Sequence, residues 1–236
     1  MNAVDSRKNI VGALCGLGVC LFLFELTPVD IFLQQLLFDS DTQQWIWSRT
    51  EPVTRLLLYD GPRACLVILG AGLVISLVAA RFSPALRPYT RQIRIVLLSL
   101  ALVPGSVGLL KNVTNVACPR NLVQFGGELE YVGILGAYAP REDPVPKQRC
   151  FPAGHASGGF ALLSLSVLFK TRRNRRQALL ATLALGWTMG IYKMLIGDHF
   201  ISHTVTTMLL AWLIIHAIVL VDSRLLPREM TTLEVS

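Results

Sequence analysis

The chain has 236 residues, of which 53% are hydrophobic and only 16% are charged. This composition is too apolar for an ordinary soluble domain and predicts a membrane protein. No soluble segment interleaves basic residues with aromatic ones, so the net charge of +7 indicates contact with anionic lipid headgroups and no nucleic-acid partner.

Six apolar runs have about the length that a helix needs to cross a bilayer. They lie at 9–27, 63–80, 93–110, 154–170, 178–196 and 201–221. The first run follows Arg7 and Lys8, as a signal peptide would, but it lacks a small-x-small cleavage site and is long enough to span. We therefore expect an uncleaved first helix.

The basic residues set the expected orientation. The cluster 172–176 holds four arginines between the fourth and fifth runs, which marks that loop as cytoplasmic. The sequence thus predicts an all-α, polytopic membrane protein of one domain, 1–236, with six transmembrane helices and both termini in the cytoplasm.

Two longer segments are expected on the outer face. Segment 28–62 contains an amphipathic stretch at 31–38 followed by Trp45 and Trp47, a pattern typical of anchoring at the membrane interface. A role in lipid entry is the alternative. Segment 111–152 is rich in Pro, Gly and charge and predicts an irregular lid.

The five cysteines fall into two groups. Three of them, Cys15, Cys20 and Cys65, lie in or beside apolar runs and are expected to be small apolar fillers. Cys118 and Cys150 both fall in the second outer segment, where an oxidising periplasm favours a disulfide. Two free thiols are the alternative.

Four polar side chains are predicted to meet at the outer ends of three spans. Lys111 ends the third run, His155 begins the fourth, and His199 and His203 lie just before and at the start of the sixth. Ionisable groups at such positions are costly to retain and by default indicate function. The four-residue spacing of His199 and His203 puts them on one helix face.

These residue types fit phosphate chemistry. Pro152 suits the first turn of a helix, and Gly154 lets a ligand approach the backbone closely. The amides and positive dipole of that helix start would hold an anion, with Lys111 nearby. A neutral imidazole is a competent nucleophile, and a second, protonated one can protonate a leaving oxygen.

Three motifs in this order resemble those of the type-2 phosphatidic acid phosphatase superfamily, whose membrane members are similar over nearly the whole length. The family motifs are Lys-x6-Arg-Pro, Pro-Ser-Gly-His and Ser-Arg-x5-His-x3-Asp. In this chain Cys118 replaces the arginine of the first motif, Ala153 the serine of the second, and His203 the aspartate of the third. Tyr192-Lys193 stands where the third motif has Ser-Arg.

The resemblance implies roles for the matching residues. His199 would be the nucleophile that forms a phosphohistidine, and His155 the general acid. Lys111, Lys193 and the backbone at Ala153 and Gly154 would bind phosphate.

The remaining roles follow from the substituted motif positions. His203 would orient His199 in place of the aspartate, although a neutral imidazole cannot offset imidazolium charge as a carboxylate does. Asp198, next to His199, is an alternative source of that charge.

The substituted arginine leaves phosphate short of one fork-shaped donor. Candidates to replace it are Arg120, Arg141, Lys147 and Arg149. Arg149 is favoured because it is so close to the second motif, and Arg120 adjoins the first.

Two rival functions remain open. His199 and His203 have the spacing of a zinc pair, with His155 or Asp198 as a third ligand, but the segment lacks the His-Glu-x-x-His glutamate. A transporter or binding subunit that keeps the site without turnover is the other rival. His216 is too far along the last helix to take part and is expected to serve packing.

The resemblance implies a multi-pass phosphatase of the bacterial inner membrane, with its active site facing the periplasm and no cofactor or metal. Its substrate partner would be a lipid phosphate or diphosphate, such as undecaprenyl pyrophosphate, phosphatidylglycerol phosphate, phosphatidic acid or the phosphates of lipid A. Some relatives transfer the phosphoryl group to another lipid instead. The sequence leaves the substrate and the oligomeric state open.

Overall fold

The computed structural model describes residues 3–136 and 146–225, and nearly all of the regular secondary structure there is helical. The α-helices are α1 (Ala3–Leu26), α2 (Val29–Gln35), α3 (Pro52–Arg55), α4 (Gly61–Ala79), α5 (Thr90–Val113), α6 (Gly154–Ala161), α7 (Arg172–Leu195) and α8 (Ile201–Leu225). A π-helical turn, Leu56–Asp60, joins α3 to α4, and a 3₁₀ segment, Leu162–Leu168, extends α6. Two short antiparallel strands, β1 (Phe38–Asp39) and β2 (Gln44–Trp45), form a hairpin.

Five helical runs within the described residues are long and apolar enough to cross a membrane. They are Val4–Leu26, Pro52–Ala79, Arg87–Val113, Arg172–Leu195 and Ile201–Leu225. Large apolar side chains on their outer faces are exposed, for example Phe22 at 70% and Ile68 at 70%. Side chains of this kind are stable on a surface that faces lipid. The predicted all-helical, multi-pass class is thus confirmed at this level.

The fourth predicted run, 154–170, differs from the others. It forms the 15 residues Gly154–Leu168, shorter than the other runs, and Phe160 within it is fully buried. A Cβ built on Gly159 would lie 2.8 Å from Cα of Gly186 in α7, so the two backbones pack very closely, as small residues allow in membrane bundles. Hydropathy alone could not separate this protein-buried helix from a lipid-facing one.

The helix that continues into α4 begins earlier than the apolar run 63–80 predicted. The second helical run begins at Pro52, which occupies the first helical position, where its missing N–H is no loss. Glu51 caps this helix by accepting bonds from the amides of Val53 and Thr54. The apolar residues that follow carry the helix directly into α4, which gives one continuous helical run, Pro52–Ala79.

Helix α8 runs antiparallel to both α1 and α5, and these three helices define the two ends of the bundle. Ser6 of α1 lies 3.4 Å from His216, near the end of α8, whereas Cys20 lies 3.6 Å from Thr206, near its start. We call the end that carries residues 111, 155 and 199 the histidine end. The opposite end, which carries Arg91, is the arginine end.

Candidate active site

His199 and His203 form a buried pair at the histidine end. His199 lies in the short loop between α7 and α8, and His203 in the first turn of α8. Their Nδ1 atoms are 3.3 Å apart, and the residues are 4% and 1% exposed. One Nδ1 donates and the other accepts, so the contact can fix the His199 ring and leaves its Nε2 free of this bond.

The surroundings keep the His199 imidazole neutral. Burial is the main cause that holds its pKa well below the ordinary value of 6.5. A proton on His203 or His155 would act in the same direction, as do the ammonium groups of Lys111 and Lys193. A neutral imidazole retains a lone pair on one ring nitrogen, which is the form that a nucleophile needs.

Lys111 lies over the start of α6. Its Nζ donates to the backbone oxygen of Arg149 at 3.2 Å, and a Cβ built on Gly154 would be 3.0 Å from its Cε and 3.3 Å from Nζ. Glycine at this position therefore makes room for the ammonium group. The amide of Ala153 donates to the backbone oxygen of His203 at 3.2 Å, which ties the start of α6 to α8.

His155 stacks on Tyr59, a residue that the sequence did not mark as functional. Their ring centroids are 4.4 Å apart, and Nζ of Lys193 lies 4.5 Å from the centroid of Tyr59 on its ring face. Among the described residues, the buried Nδ1 of His155 has no hydrogen-bond partner. A buried polar atom without a partner is uncommon outside functional sites.

Asp198 is bound by two cations. Its Oδ2 accepts from Nζ of Lys193 at 2.8 Å, and its Oδ1 accepts from the guanidinium of Arg120. Both oxygens are thus used by the cations, and no bond joins the carboxylate to the His199 ring among the described residues. Asp198 therefore does not offset the charge of His199 in the way considered above, which leaves His203 as its orienting partner.

The candidate replacements for the motif arginine occupy different places. Arg120 reaches Asp198, the residue directly before His199. Arg149 is exposed, and its contact with Lys111 uses only its backbone oxygen. Lys147 is also exposed, and Arg141 lies outside the described residues. The geometry therefore favours Arg120 over Arg149.

Cys118 and Cys150 are paired in the structure, with Cα atoms 5.2 Å apart. Both residues are buried, and the amide of Cys150 donates to Val116 at 3.1 Å. The amide of Arg120 donates to the backbone oxygen of Gly197 at 3.1 Å. The loop after α5 is thus fixed against the loop that carries His199.

Helix α2 holds the other side of the same loop. Asp30, only 3% exposed, accepts from both the amide and the hydroxyl of Ser202 in the first turn of α8. Gln34 donates to the backbone oxygen of Met194 at 2.8 Å, near the end of α7. The stretch 31–38 predicted an amphipathic anchor, but these two polar residues face the protein and support the His199 loop.

The residue pattern expected of a metal site is not found in the described part of the chain. No group of three or more His, Cys, Asp or Glu side chains converges there as metal ligands would. Within residues 3–136 and 146–225, no third protein ligand of the kind that the zinc hypothesis requires joins the pair His199 and His203.

Comparison with known proteins agrees with the arrangement of the three motifs. No curated protein and no solved structure gives a significant match. A family model described as PAP2 superfamily matches residues 92–226, more than half of the chain. The matched region includes Lys111, His155 and His199. A match to this superfamily supports phosphatase or phosphotransferase activity on phosphorylated lipids. The resemblance seen in the sequence is therefore confirmed, and the chain belongs to the PAP2 superfamily.

Proposed function

We propose that this protein is a metal-independent membrane phosphatase that removes a phosphoryl group from lipid phosphates or diphosphates through a phosphohistidine at His199. The observation that carries the proposal is the buried His199, whose Nδ1 lies 3.3 Å from Nδ1 of His203. Lys111, Lys193 and Arg120 supply positive charge around it. These groups match the needs of in-line phosphoryl transfer, which are positioning and charge stabilisation.

In the first step, the lone pair on Nε2 of His199 attacks phosphorus, and the bond from phosphorus to the leaving oxygen breaks. His155 donates a proton to that oxygen, which departs as the lipid product. Lys111 and the amides at the start of α6 bind the phosphoryl oxygens. The ion pairs from Asp198 to Arg120 and Lys193 must loosen if these two cations are to contact phosphate.

In the second step, water attacks the phosphohistidine. His155, now neutral, accepts a proton from that water as the new phosphorus–oxygen bond forms. The bond from phosphorus to Nε2 breaks, and inorganic phosphate leaves with His199 restored. His203 keeps the ring in one orientation through both steps because its Nδ1 contacts Nδ1 of His199.

The direct experiment is to incubate the purified protein with a panel of lipid phosphates and diphosphates and to measure inorganic phosphate. Protein quenched during turnover should carry one phosphoryl group on His199 by mass spectrometry. Wild-type protein that releases no phosphate from any member of the panel would refute the proposal and favour a binding or transport role. Transfer of phosphate to a second lipid, without free phosphate, would favour a phosphotransferase that uses the same site.

A chelator separates this mechanism from the metal hypothesis. Histidine-based transfer requires no metal, so EDTA should leave the rate of phosphate release unchanged. Loss of activity in EDTA and its recovery with zinc would instead support a metal site at His199 and His203.

We further propose six crossings, with the buried segment Gly154–Leu168 as the fourth. Its eight α-helical residues and seven 3₁₀ residues rise roughly 26 Å together, close to the hydrocarbon thickness. Ser6 of α1 and His216 of α8 meet at the arginine end, which supports placing both termini on one side, the cytoplasmic side by the charge rule. A reporter fused after Arg176 should read cytoplasmic, and one inserted near residue 143 should read periplasmic.

A further inference from the structure

A small cationic cavity lies beside Lys193. Its volume is about 120 Å³, and its lining consists of Arg49, Arg55, Tyr59, Tyr192, Lys193 and Ile196. Three of these side chains are cationic and two are phenols, whereas no lining residue is acidic. Guanidinium forks and phenolic hydroxyls are the donors that suit phosphoryl oxygens.

The cavity adjoins the catalytic histidines. Tyr59 lines it and also stacks on His155 with ring centroids 4.4 Å apart. Lys193 lines it and lies 4.5 Å from the centroid of the same Tyr59 ring. A group bound here would therefore be next to a group held between His155 and His199.

The cations of this cavity are only partly neutralised. Lys193 is paired with Asp198 at 2.8 Å. Arg55 is paired with Asp60 at 3.2 Å, but both side chains are largely exposed at 61% and 45%, so this pair is weak. Within residues 3–136 and 146–225, Arg49 forms no ion pair. The cavity is thus left with excess positive charge.

We propose that this cavity is a second phosphoryl-binding subsite, which holds the non-reacting phosphoryl group of a lipid diphosphate. The inference rests on the proposed function and narrows its substrate class. The terminal phosphoryl group would be attacked by His199, and the bond from its phosphorus to the bridging oxygen would break. The bridging oxygen takes the electron pair and a proton from His155, and Arg49 and Arg55 bind the lipid monophosphate that leaves.

Half of the residues that line this subsite lie outside the region that matches the family model. Arg49, Arg55 and Tyr59 all precede residue 92, where the match begins. The three motifs therefore contribute only Tyr192 and Lys193 to it. With this subsite, the active site at His199 would favour substrates that carry two phosphoryl groups over substrates that carry one.

The test compares a prenyl diphosphate with the prenyl monophosphate of the same chain length. The variants are Arg49→Gln, Arg55→Gln and the double variant, and the control is Arg81→Gln, an exposed arginine just past the far end of α4. We expect the double variant to lower kcat/KM for the diphosphate at least about tenfold more than for the monophosphate. A factor of ten corresponds to 1.4 kcal/mol, a typical value for losing hydrogen bonds to a charged group. The control should leave the ratio of the two kcat/KM values unchanged.

Equal losses on both lipids, or no loss on either, would overturn the subsite and leave the proposed function standing. A third arm measures binding without turnover, using inorganic pyrophosphate and inorganic phosphate on His199→Ala protein by calorimetry. We expect the arginine substitutions to weaken pyrophosphate more than phosphate. An equal effect on the two anions would mean that the cavity holds free phosphate, and this too would overturn the diphosphate proposal. If the wild-type protein hydrolyses neither prenyl lipid, this arm still decides the subsite, whereas the proposed function fails only if no member of the wider lipid panel releases phosphate.

Discussion

Two aspartates, one near each end of α8, are each held between two cations, yet they have different surroundings. At the arginine end, Asp222 accepts from Arg91 at 2.5 Å and from Arg94 at 2.9 Å. At the histidine end, Asp198 accepts from Lys193 and Arg120. Both aspartates are largely buried. The same chemistry therefore occurs twice, about one membrane thickness apart.

The difference lies in what else the cations can bind. Arg91 and Arg94 lie three residues apart on α5 and so share one face. Their only carboxylate partner among the described residues is Asp222 of α8. These ion pairs therefore link α5 to α8. Arg120 and Lys193 flank the loop that carries His199, and a phosphoryl group there would compete with Asp198 for them. An ion pair can thus fix a fold at one end and hold binding groups in place at the other.

The largest difference in activity should be between variants of the two buried histidines, His199 at the histidine end and His216 at the arginine end. His199→Ala should lower phosphate release more than about a thousandfold, because removing a nucleophile normally costs several decades. His216→Ala should have little effect on turnover, since His216 contacts Ser6 and Trp212 at the arginine end. Retention of more than a few per cent of activity by the His199 variant would exclude it as the nucleophile. Circular dichroism in detergent should show that both variants are folded.

The covalent bridge at the histidine end offers the next effect. Cys118 and Cys150 are 32 residues apart, so closing this loop is worth about 3–4 kcal/mol in the entropic model. Cys118→Ser should lower the unfolding temperature in non-reducing buffer and should have no such effect after reduction of both proteins. Labelling of both cysteines by a thiol reagent in non-reduced wild-type protein would show that the bridge is absent.

Replacing Asp30 should change the free energy of unfolding by a similar or smaller amount than loss of the disulfide, and this change should depend on pH. Burial is the main cause that raises its pKa from 3.8 to about 6, so the folded chain binds a proton that the unfolded chain does not. Its contribution to stability is therefore fully present below about pH 4 and is lost as the pH rises through 6. Relative to wild type, Asp30→Asn should gain stability with rising pH, by on the order of 3 kcal/mol.

Thermal unfolding at pH 4 and pH 7 checks this prediction. Asp41→Asn is a suitable control because Asp41 is exposed. If the unfolding temperature changes by the same amount between pH 4 and pH 7 in wild type and in the Asp30 variant, the Asp30 carboxyl has an ordinary pKa and the prediction is wrong. Activity at fixed pH would report separately on how well α2 supports the His199 loop.

The smallest effects should come from the two aspartates themselves. Asp222→Asn should cost roughly 1–2 kcal/mol of stability, because the two arginines are more than a third exposed and solvent weakens such pairs. It should leave inhibition by inorganic phosphate unchanged. Asp198→Asn should instead make inorganic phosphate inhibit several times more strongly, since it frees Arg120 and Lys193. If inorganic phosphate inhibits Asp198→Asn and Asp222→Asn equally, the cations at the histidine end are no more available to phosphate than those at the arginine end.

The sequence predicted most of the helices and the three motifs because both depend on local patterns. Apolar runs of membrane length identify helices directly, and Lys111, His155 and His199 have spacings that can be read along the chain. The exception was the fourth run, whose apolar residues are buried in protein rather than exposed to lipid. A composition pattern cannot distinguish these two environments.

Contacts between distant segments could not be predicted in this way. Asp30 binds Ser202 across 172 residues, and Tyr59 reaches His155 from a segment with no motif. Asp198 could be identified as a neighbour of His199, but its partner Arg120 depends on how the loop after α5 folds back. Only the packing of the helices decides which of several loop cations comes close.

Trp45 gives the His199 loop an optical reporter. Its indole ring packs on Gly197, where a Cβ would lie only 2.3 Å from Cε2 of Trp45, and Gly197 has a positive φ of 72° that glycine adopts most readily. Indole emission depends on its immediate surroundings, so any rearrangement of residues 197–199 on ligand binding should change it. Replacing Trp47, Trp187 and Trp212 by Phe would leave Trp45 as the single emitter, so its titration with phosphate would follow this loop in real time.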